Sequence, residues 1–497
     1  MEKEKDANII KFNSSQGEET LKSDKKLIKT SKAPMVDSGE ILKYEECPER
    51  WYNLVAFCFC SFANGFQWFI FTGISKKFSI QYNISLWKVK IFSMIYLIIY
   101  PFTSIPESWI FENYSIKIGL RLCSGFTLLG ALLKVFIICD KTLSICYIGQ
   151  IFSALFRPLL LNSPGKISSN WFQEDKRTLI TSICCLSDTA GILVGYLWNM
   201  AYIKKNSIGQ DYKDQVFRYM LSEFILIFFL CIPAFFIDKD KPDKLSSPSQ
   251  NKNKQKILND LRKLFSNLRF IFLLISSFFI VGYYFIIGNI FNDLLNLYKI
   301  TNHQCTVIFS VSITIGIISS IIFSYFVDKY KKFKLIMIIL CISAIIFQVF
   351  LTFLLEISKS KELNSFSIGF VFYILIHGVV IPFYTIGINY SCEITYPVTE
   401  SLSGGIVMIM SQLCGIGGTY LFNHLIEHKK EQTWIINVII LVFYIISLIC
   451  TLFFNEKLIR YEIDKNEDKI EKENEVKIDI EIESNRNEPA SVQIKQK

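Results

Sequence analysis

The chain has 497 residues, of which 51% are hydrophobic, 15% aromatic and 20% charged, and its mean hydropathy is +0.35. A soluble domain would carry more charge and less phenylalanine, and a disordered chain could not hold 44 Phe. The apolar residues fall in about a dozen blocks of 20 or more, each long enough to cross a hydrocarbon layer of about 30 Å. The net charge of +9 fits loops that face an anionic lipid leaflet better than a nucleic-acid surface. The composition therefore predicts an integral, multi-pass membrane protein that binds no nucleic acid.

Residues 1–50 are polar, and we expect a disordered tail without a cleaved signal peptide. The predicted membrane spans that follow are 52–75, 89–111, 118–139, 142–167, 178–202, 217–237, 268–294, 305–327, 335–356, 366–391, 401–426 and 433–455. Twelve spans put both termini on one side. The excess of Lys and Arg in the tails and even loops predicts that this side is the cytoplasm, of either the plasma membrane or an organelle membrane. A glycosylation sequon, Asn83-Ile84-Ser85, then lies in the first external loop.

The spans divide into two halves of six. Residues 238–266 are rich in Lys, Asp, Ser and Asn, which predicts a cytoplasmic linker between an N-terminal bundle, 51–237, and a C-terminal bundle, 267–455. The second span closes with "WIFENY" and the eighth with "YFVDKY", each with its acidic residue 60 residues past the start of its half. A duplicated six-helix unit leaves such a repeat. The predicted fold is therefore an all-α membrane protein with two pseudo-symmetric bundles.

This layout resembles the major facilitator superfamily, whose loops after the second and eighth helices carry an acid followed by basic residues. The candidate gating residues are Glu112 with Lys117 and Asp328 with Lys329. A carboxylate at a helix end and a nearby cation can stabilise one state of a gate and separate in the other. Solvated interfacial charge is the alternative interpretation of the same residues. Both motifs lack the Gly and Arg of the family pattern.

Few charges lie inside the spans, where each costs about 2.5 to 3.5 kcal/mol on insertion scales. Arg157 on the fourth span and Asp188 on the fifth both fall about 21 to 22 Å from the outer end, at 1.5 Å per residue. Equal depth on consecutive helices predicts an ion pair between them. This pair either sets charge selectivity in a binding site or is purely structural.

Aromatic residues at matching depth occur on the first and seventh spans, which are equivalent helices of the two halves. Trp68 and Phe285 are predicted to hold a cation by its attraction to the ring faces, with core packing as the alternative. Gln412 and His377 are uncharged polar residues at mid-depth, for which a helix–helix hydrogen bond is the default expectation. The 14 cysteines lack metal-ligand spacing and are interpreted as small buried residues.

Several stretches resemble the feline leukaemia virus subgroup C receptor-related group of facilitator proteins. Their order and placement on the spans carry the resemblance, which covers most of residues 51–455. The stretches are "NGFQW" at 64–68, "GALLK" at 130–134, "GQIFSAL" at 149–155, "SPGKISSNWFQEDKR" at 163–177, "EITYPVTES" at 393–401 and "SQLCG" at 411–415.

The resemblance implies a transporter of choline or ethanolamine, held between a first-helix Trp and a seventh-helix Tyr with Gln side chains from the fourth and eleventh helices. Trp68 and Gln412 match this pattern. Phe285, with Tyr284 beside it, stands at the Tyr position. Arg157 stands where the fourth-helix Gln is expected and Asp188 where those members have Asn, so two uncharged residues are replaced by a pair of opposite charge. Haem or a pyridoxine-type vitamin is the alternative substrate that the group implies.

We therefore expect a secondary transporter that moves a small organic solute by alternating access, acts as a monomer and is not an enzyme. No cofactor or metal is expected, and the absence of a "GxxxxGKS" loop argues against direct use of ATP. A receptor or sensor built on the transporter fold is the second class of function. The charged tail, residues 456–497, is expected to be mostly disordered and solvated.

Overall fold

The computed structural model describes residues 47–138, 143–204, 207–239, 257–361, 364–428 and 434–466. The described regular structure is helical. In chain order the helices are α1 (Glu49–Trp68), α2 (Ser75–Gln81), α3 (Leu86–Asn113), α4 (Ile116–Val135), α5 (Ser144–Leu155), α6 (Arg157–Asn162), α7 (Pro164–Trp171), α8 (Arg177–Tyr202), α9 (Gly209–Phe235), α10 (Ile257–Ser266), α11 (Leu268–Asn296), α12 (Asn302–Tyr330), α13 (Phe333–Lys361), α14 (Ser365–Thr395), α15 (Glu400–His428), α16 (Trp434–Phe453) and α17 (459–466).

Eleven helices in the described part of the chain are long and apolar enough to cross a membrane, when α5 and α6 are counted together. They match eleven of the twelve predicted spans. The remaining span is α1, which is 20 residues long and includes the polar residues Asn64 and Gln67. Both side chains are fully buried, because Asn64 donates to the carbonyl of Ser153 on α5 and Gln67 to that of Thr127 on α4. The all-helical, twelve-span architecture predicted from the sequence is confirmed.

The fourth span differs from the continuous helix predicted over 142–167. It is divided into α5, α6 and α7, with breaks at Phe156 and Ser163. Pro158 and Pro164 lie in the first turns of α6 and α7, where a missing N–H is tolerated, whereas proline inside a helix removes a hydrogen bond and clashes with the preceding turn. As a result, Arg157 stands at a helix break.

The two halves meet along two symmetry-related helix pairs. Helix α8, the fifth span, packs against α12, the eighth, and α3, the second span, packs against α15, the eleventh. Within each half the helices pack mainly on one another, as α1 does on α8 and α11 on α15. We call the end of the bundle that holds the beginning of α1 and the end of α16 the tail end, and the opposite end the far end.

Two charged segments are more ordered than the sequence predicts. Helix α10 lies within the predicted linker 238–266 and packs on α11, with Asp260 and Leu264 buried. Helix α17 lies within the predicted solvated tail, yet the side chains of Arg460 and Asp464 are each only 1% exposed. Most of the predicted N-terminal tail (1–46), the centre of the linker (240–256) and the end of the C-terminal tail (467–497) lie outside the described residues.

Candidate functional site

The predicted ion pair is present at the centre of the N-terminal half. The Arg157 guanidinium donates to Asp188 Oδ2 at 2.8 Å and to Asn64 Oδ1 at 3.0 Å. Asn64 in turn donates to the carbonyl of Ser153 at 2.8 Å. Arg157 is 2% exposed and Asp188 5%, so each charge is largely removed from water. A buried guanidinium is tolerated here because a carboxylate and an amide oxygen accept its hydrogen bonds.

Small residues bring α1 and α8 close together beside this pair. A Cβ atom at Gly65 would lie 2.3 Å from the carbonyl oxygen of Asp188, and one at Gly191 would lie 2.1 Å from the carbonyl oxygen of Phe62. A side chain at either position would collide with backbone, so the two helices would have to separate. The glycines of "NGFQW" and of α8 therefore fix the distance between Asn64 and Asp188, the two acceptors of the Arg157 guanidinium.

The two predicted aromatic rings face each other across the halves. The ring centroids of Trp68 and Phe285 are 5.8 Å apart, and both side chains are buried. The Trp68 indole also stacks on Tyr96, with centroids 6.2 Å apart, and donates to the carbonyl of Ser93 at 2.9 Å. The guanidinium carbon of Arg157 lies 4.5 Å from the Trp68 centroid and 5.4 Å from that of Tyr96. The face of Trp68 expected to hold a substrate cation thus already holds a cation of the protein.

Gln412 has no hydrogen-bond partner in the described part of the chain for either its amide nitrogen or its amide oxygen, although it is 1% exposed. On α15 it shares one face with Gly405, which abuts Asn162, and with Asn423, to which Lys90 donates at 2.9 Å. Gln412 therefore lies on the face that α15 turns toward the N-terminal half. Buried amides are normally satisfied, and an unsatisfied one between two halves is a candidate ligand contact.

Tyr284 lies beside Asp188 and Thr189 of the other half, whereas His377 packs within the C-terminal half. The Tyr284 ring is stacked on Tyr384 with centroids 6.4 Å apart and contacts Phe285 edge-on. Nδ1 of His377 lies 2.9 Å from the carbonyl oxygen of Tyr373, one turn earlier on the same helix. This is the ordinary local hydrogen bond of a core histidine.

A cavity of about 600 Å³ opens between the halves at the far end. Ile80 and Ile208, which are 75% and 73% exposed, lie at its mouth. Its deeper wall includes Ser93, whose carbonyl accepts from Trp68, and Asn289, which donates to the carbonyl of Phe285 at 2.9 Å. The cavity thus ends directly beside the aromatic cluster. None of the six predicted binding residues lines it, because Trp68, Phe285 and their neighbours are packed against each other.

The residues that do line the cavity were not identified from the sequence. Asp293 accepts from Lys90 at 2.6 Å and lies 3.5 Å from Lys76, and Asn292 accepts from Tyr196 at 2.9 Å. These contacts join the N-terminal half to the end of α11. The signal was the polar run "NIFND" at 289–293, in which three polar residues share one helix face inside an otherwise apolar span.

The acidic residues of the repeated motif both contact the opposite half at the tail end. Asp328 accepts hydrogen bonds from the backbone N–H groups of Thr178 and Leu179 at 3.1 and 2.7 Å, at the start of α8. Glu112 accepts from the Ser401 hydroxyl at 2.9 Å, at the start of α15. Since α8 and α15 are equivalent helices, the two contacts are related by the pseudo-symmetry of the halves. A carboxylate at a helix N-terminus is favourably placed in the helix dipole.

The basic partners differ from those predicted. Glu112 pairs with Lys166 at 2.7 Å and Asp328 with Lys331 at 3.5 Å. Lys117 donates to the carbonyl of Asp238 at 3.3 Å, and Lys329 lies over the ring of Tyr330. Lys166 lies on α7, far from Glu112 in sequence, so the spacing of the motif could not indicate this pair.

Helix α17 adds ion pairs to the tail end. Arg177 of α8 donates to Asp464 at 2.6 Å, and Arg460 lies 3.3 Å from Glu400 of α15. The backbone N–H of Tyr461 donates to Glu393 of α14 at 3.2 Å. One short helix therefore contacts both halves through residues that are almost fully buried.

A second buried ion pair lies within the N-terminal half. Lys134, in the "GALLK" stretch, is 2.5 Å from Glu223 and 3.1 Å from the amide oxygen of Gln67, and both charged side chains are fully buried. The pair ties α4 and α9 to the residue that precedes Trp68. Glu223 was not singled out from the sequence.

Among the described residues, no group of three or more His, Cys, Asp or Glu side chains is arranged to hold a metal ion. The thirteen cysteines that the structure describes are free thiols. The site therefore offers aromatic faces, hydrogen-bonding amides and fixed charges, which can bind and release a solute.

The sequence matches the family model described as Major Facilitator Superfamily over residues 57–361. It is 24% identical over 435 residues to "Uncharacterized MFS-type transporter C09D4.1" of Caenorhabditis elegans, covering 86% of this chain and 72% of that protein. It is 23% identical over 428 residues to "Choline/ethanolamine transporter FLVCR1" of Felis catus, covering 84% and 74% of the two chains.

Among solved structures, the fold is similar to that of the transporter FucP of Escherichia coli in the outward conformation, with a TM-score of 0.63 and 11% identity over 81% of this chain and 99% of that one. The helix arrangement and the family match agree with each other and with the resemblance found in the sequence. The chain therefore belongs to the major facilitator superfamily, as a membrane transporter of the group related to FLVCR1.

Proposed function

We propose that the protein carries a small amine of the choline or ethanolamine type across its membrane by alternating access, as a monomer and without catalysing a reaction. The observation that carries this proposal is the pair of aromatic rings, Trp68 and Phe285, that meet from opposite halves beside the floor of a cavity. Rings of this kind attract an organic ammonium group by about 0.5 to 2 kcal/mol each. The name of the relative FLVCR1 supports the same substrate class.

The tail end is assigned to the cytoplasm and the far end to the outside or to an organelle lumen. In that orientation the cavity is open outward. Asp328 and Glu112 each accept hydrogen bonds from the half to which they do not belong, and these contacts close the cytoplasmic side. Opening inward requires these contacts to break together as the halves rotate. The predicted gating role of both acids is thereby retained, with Lys331 and Lys166 as their basic partners.

The Arg157 guanidinium competes with the substrate ammonium group for the face of the Trp68 ring. Its guanidinium lies on the Trp68 ring at 4.5 Å, so a substrate ammonium reaches that face only when the guanidinium shifts toward Asp188, to which it is already bonded. Gln412 supplies an unsatisfied amide that can accept from a substrate hydroxyl or amine. These residues form the proposed inner site.

The test is uptake of labelled choline and ethanolamine by proteoliposomes that contain the full chain. Trp68→Ala is expected to reduce flux at least about tenfold, since it removes the ring, whereas Trp68→Phe keeps an aromatic face and most of the flux. Trp434→Ala, which removes an indole that is about half exposed, is the matched control. Equal losses for Trp68→Ala and Trp68→Phe, at unchanged folding, would rule out the ring as a cation site. Haem and pyridoxine serve as competing substrates in the same assay.

A sensor function is the second candidate, because α17 couples the tail directly to the closed end of the bundle. A signal on the tail would then change with the state of the transporter. Deleting residues 1–45 and 467–497, which leaves α17 and its ion pairs in place, separates the two functions. Retained flux supports a carrier alone, whereas intact binding with lost flux supports a sensor.

A further inference from the structure

The far-end cavity has an aromatic wall of its own, separate from the Trp68 cluster. Tyr196, Phe291 and Phe309 all line it. The ring centroids of Tyr196 and Phe309 are 5.0 Å apart, and those of Phe291 and Phe309 are 5.2 Å apart. Tyr196 belongs to the N-terminal half and the two Phe residues to the C-terminal half. These three rings line the open cavity, whereas Trp68 and Phe285 do not, so a solute that enters the cavity meets this wall first.

Beside this wall lies an unsatisfied acceptor. Asn289 lines the cavity and uses its amide nitrogen to donate to the carbonyl of Phe285. Its amide oxygen is buried and has no hydrogen-bond partner among the described residues, and the same holds for the Thr72 hydroxyl, which also lines the cavity. Buried oxygens without donors favour a ligand that carries N–H, O–H or ammonium groups.

The remaining charged residues of the lining are mostly basic. The described lining contains three lysines, Lys76, Lys77 and Lys90, and one carboxylate, that of Asp293. Asp293 is shared between Lys90 at 2.6 Å and Lys76 at 3.5 Å, so one acidic group faces two ammonium groups directly. A cleft with such an excess of one sign attracts ligands of the other sign.

We propose that this cavity binds a small zwitterion, with its ammonium group on the aromatic wall and its anionic group between Lys76 and Lys90. The inference rests on the proposed function as an amine transporter and adds that amines which also carry a carboxylate or phosphate bind more tightly than choline or ethanolamine. The anion shares the two lysines with Asp293, and the ammonium faces the free oxygen of Asn289. An amine with no anionic group makes no ionic contact with Lys76 or Lys90.

Binding to the purified full chain in nanodiscs tests this directly. Choline is compared with phosphocholine and glycine betaine, which keep the trimethylammonium group and add a phosphate or a carboxylate. We expect the zwitterion with the better-fitting anion to bind at least about tenfold more tightly than choline. The double variant Lys76→Gln/Lys90→Gln should abolish this preference while choline binding persists. Lys90→Arg should retain it, which separates lost charge from lost folding.

Two control variants locate the ligand. Phe309→Leu removes a ring of the wall and should weaken all three compounds, whereas Phe353→Leu, at an exposed ring outside the cavity, should not. Lys332→Gln removes the same charge at an exposed position of the tail end and should leave the preference intact.

Each contrary outcome has a separate meaning. Equal binding of choline and both zwitterions to the unaltered protein would overturn the anion site and leave the proposed amine transport standing. A preference that survives Lys76→Gln/Lys90→Gln but disappears in Arg157→Gln would move the anion to the inner site and overturn this location. Failure of all three compounds to bind would refute the proposed function itself.

Discussion

Ion pairs occur at both ends of the bundle, but the side chains that form them are buried to different extents. At the tail end the Arg177 and Asp464 side chains are 2% and 1% exposed, whereas at the far end Lys76 and Asp293 are 44% and 18% exposed. A pair shielded from water is costly to break by removing one partner, since the other charge is left buried. A pair open to water contributes about 1 kcal/mol or less. Burial rather than the number of ion pairs therefore makes the tail end the firmly closed one.

The largest effect is expected from Arg177→Ala, which leaves the Asp464 carboxylate buried without its guanidinium. The closed tail end should lose about 3 to 5 kcal/mol. Thiol labelling located by mass spectrometry measures this, because Cys392 is buried at the tail end beside Glu400 and should become reactive. Arg262→Ala, at an exposed position on α10, is the control. A Cys392 that stays protected in Arg177→Ala would contradict the assigned role of the pair.

A smaller effect is expected when α17 is removed as a whole. A chain ending at residue 458 lacks both Arg460 and Asp464, but water then reaches Arg177 and Glu400, so no charge remains buried and unpaired. We expect a loss of about 1 to 3 kcal/mol in the stability of the closed tail end, again measured by Cys392 labelling. A chain ending at residue 466 keeps the helix and should behave like the full chain. If both truncations label alike, α17 does not hold the tail end closed.

At the far end, Lys76→Ala should change stability by only about 1 kcal/mol. Asp293 retains Lys90 as its basic partner at 2.6 Å, and Lys76 is already 44% exposed. The measurement is labelling of Cys305, a buried thiol at the start of α12. Lys213→Ala, an exposed far-end lysine, is the control. An effect as large as that of Arg177→Ala would show that the two ends do not differ as their burial indicates.

The smallest effect is expected from alkaline pH. Burial alone would lower the pKa of Arg460, but Glu400, Glu393 and Asp464 outweigh it and hold the pKa above its usual value. For a base with a raised pKa, the stabilisation is fully present below the unfolded-state pKa and is lost only as the pH rises through the folded-state pKa. The difference in melting temperature between the full chain and the chain ending at 458 should therefore stay constant from about pH 7 to 10. In Arg460→Lys the difference should shrink only as the pH rises above about 10.4, the ordinary pKa of lysine.

Hydropathy was sufficient to predict most of the fold. The predicted span 268–294 corresponds to α11, Leu268–Asn296, and 178–202 to α8, Arg177–Tyr202, because membrane crossing imposes a length that a single sequence reveals. The break in the fourth span was also present in the sequence, in Pro158 and Pro164, but an apolar average over 142–167 conceals it. The Arg157–Asp188 pair was predictable because helix rise converts residue counts into depth.

The cavity lining and the contacts of α17 were not predictable in the same way. Arg460 is buried only because Glu400 and Glu393, from two other helices, surround it, and such partners are distant in sequence. A charged segment with Ile at 459 and 463 has the same composition whether it is solvated or docked. Likewise, span boundaries do not specify how the two halves pack together. This packing brings Trp68 and Phe285 into contact and closes the inner site.

The close contact of α1 and α8 at Gly65 and Gly191 has a consequence for the transport cycle. Gly65 and Gly191 leave no gap between these helices, and the Arg157 guanidinium is bonded to both of them. Trp68, Arg157 and Asp188 therefore travel as one rigid body, while Phe285 moves away with the other half. The unloaded carrier therefore keeps a guanidinium against its indole throughout the return stroke and needs no bound ion to neutralise that face. We expect the initial rate of uptake of labelled substrate to be the same whether or not unlabelled substrate is preloaded inside the vesicles.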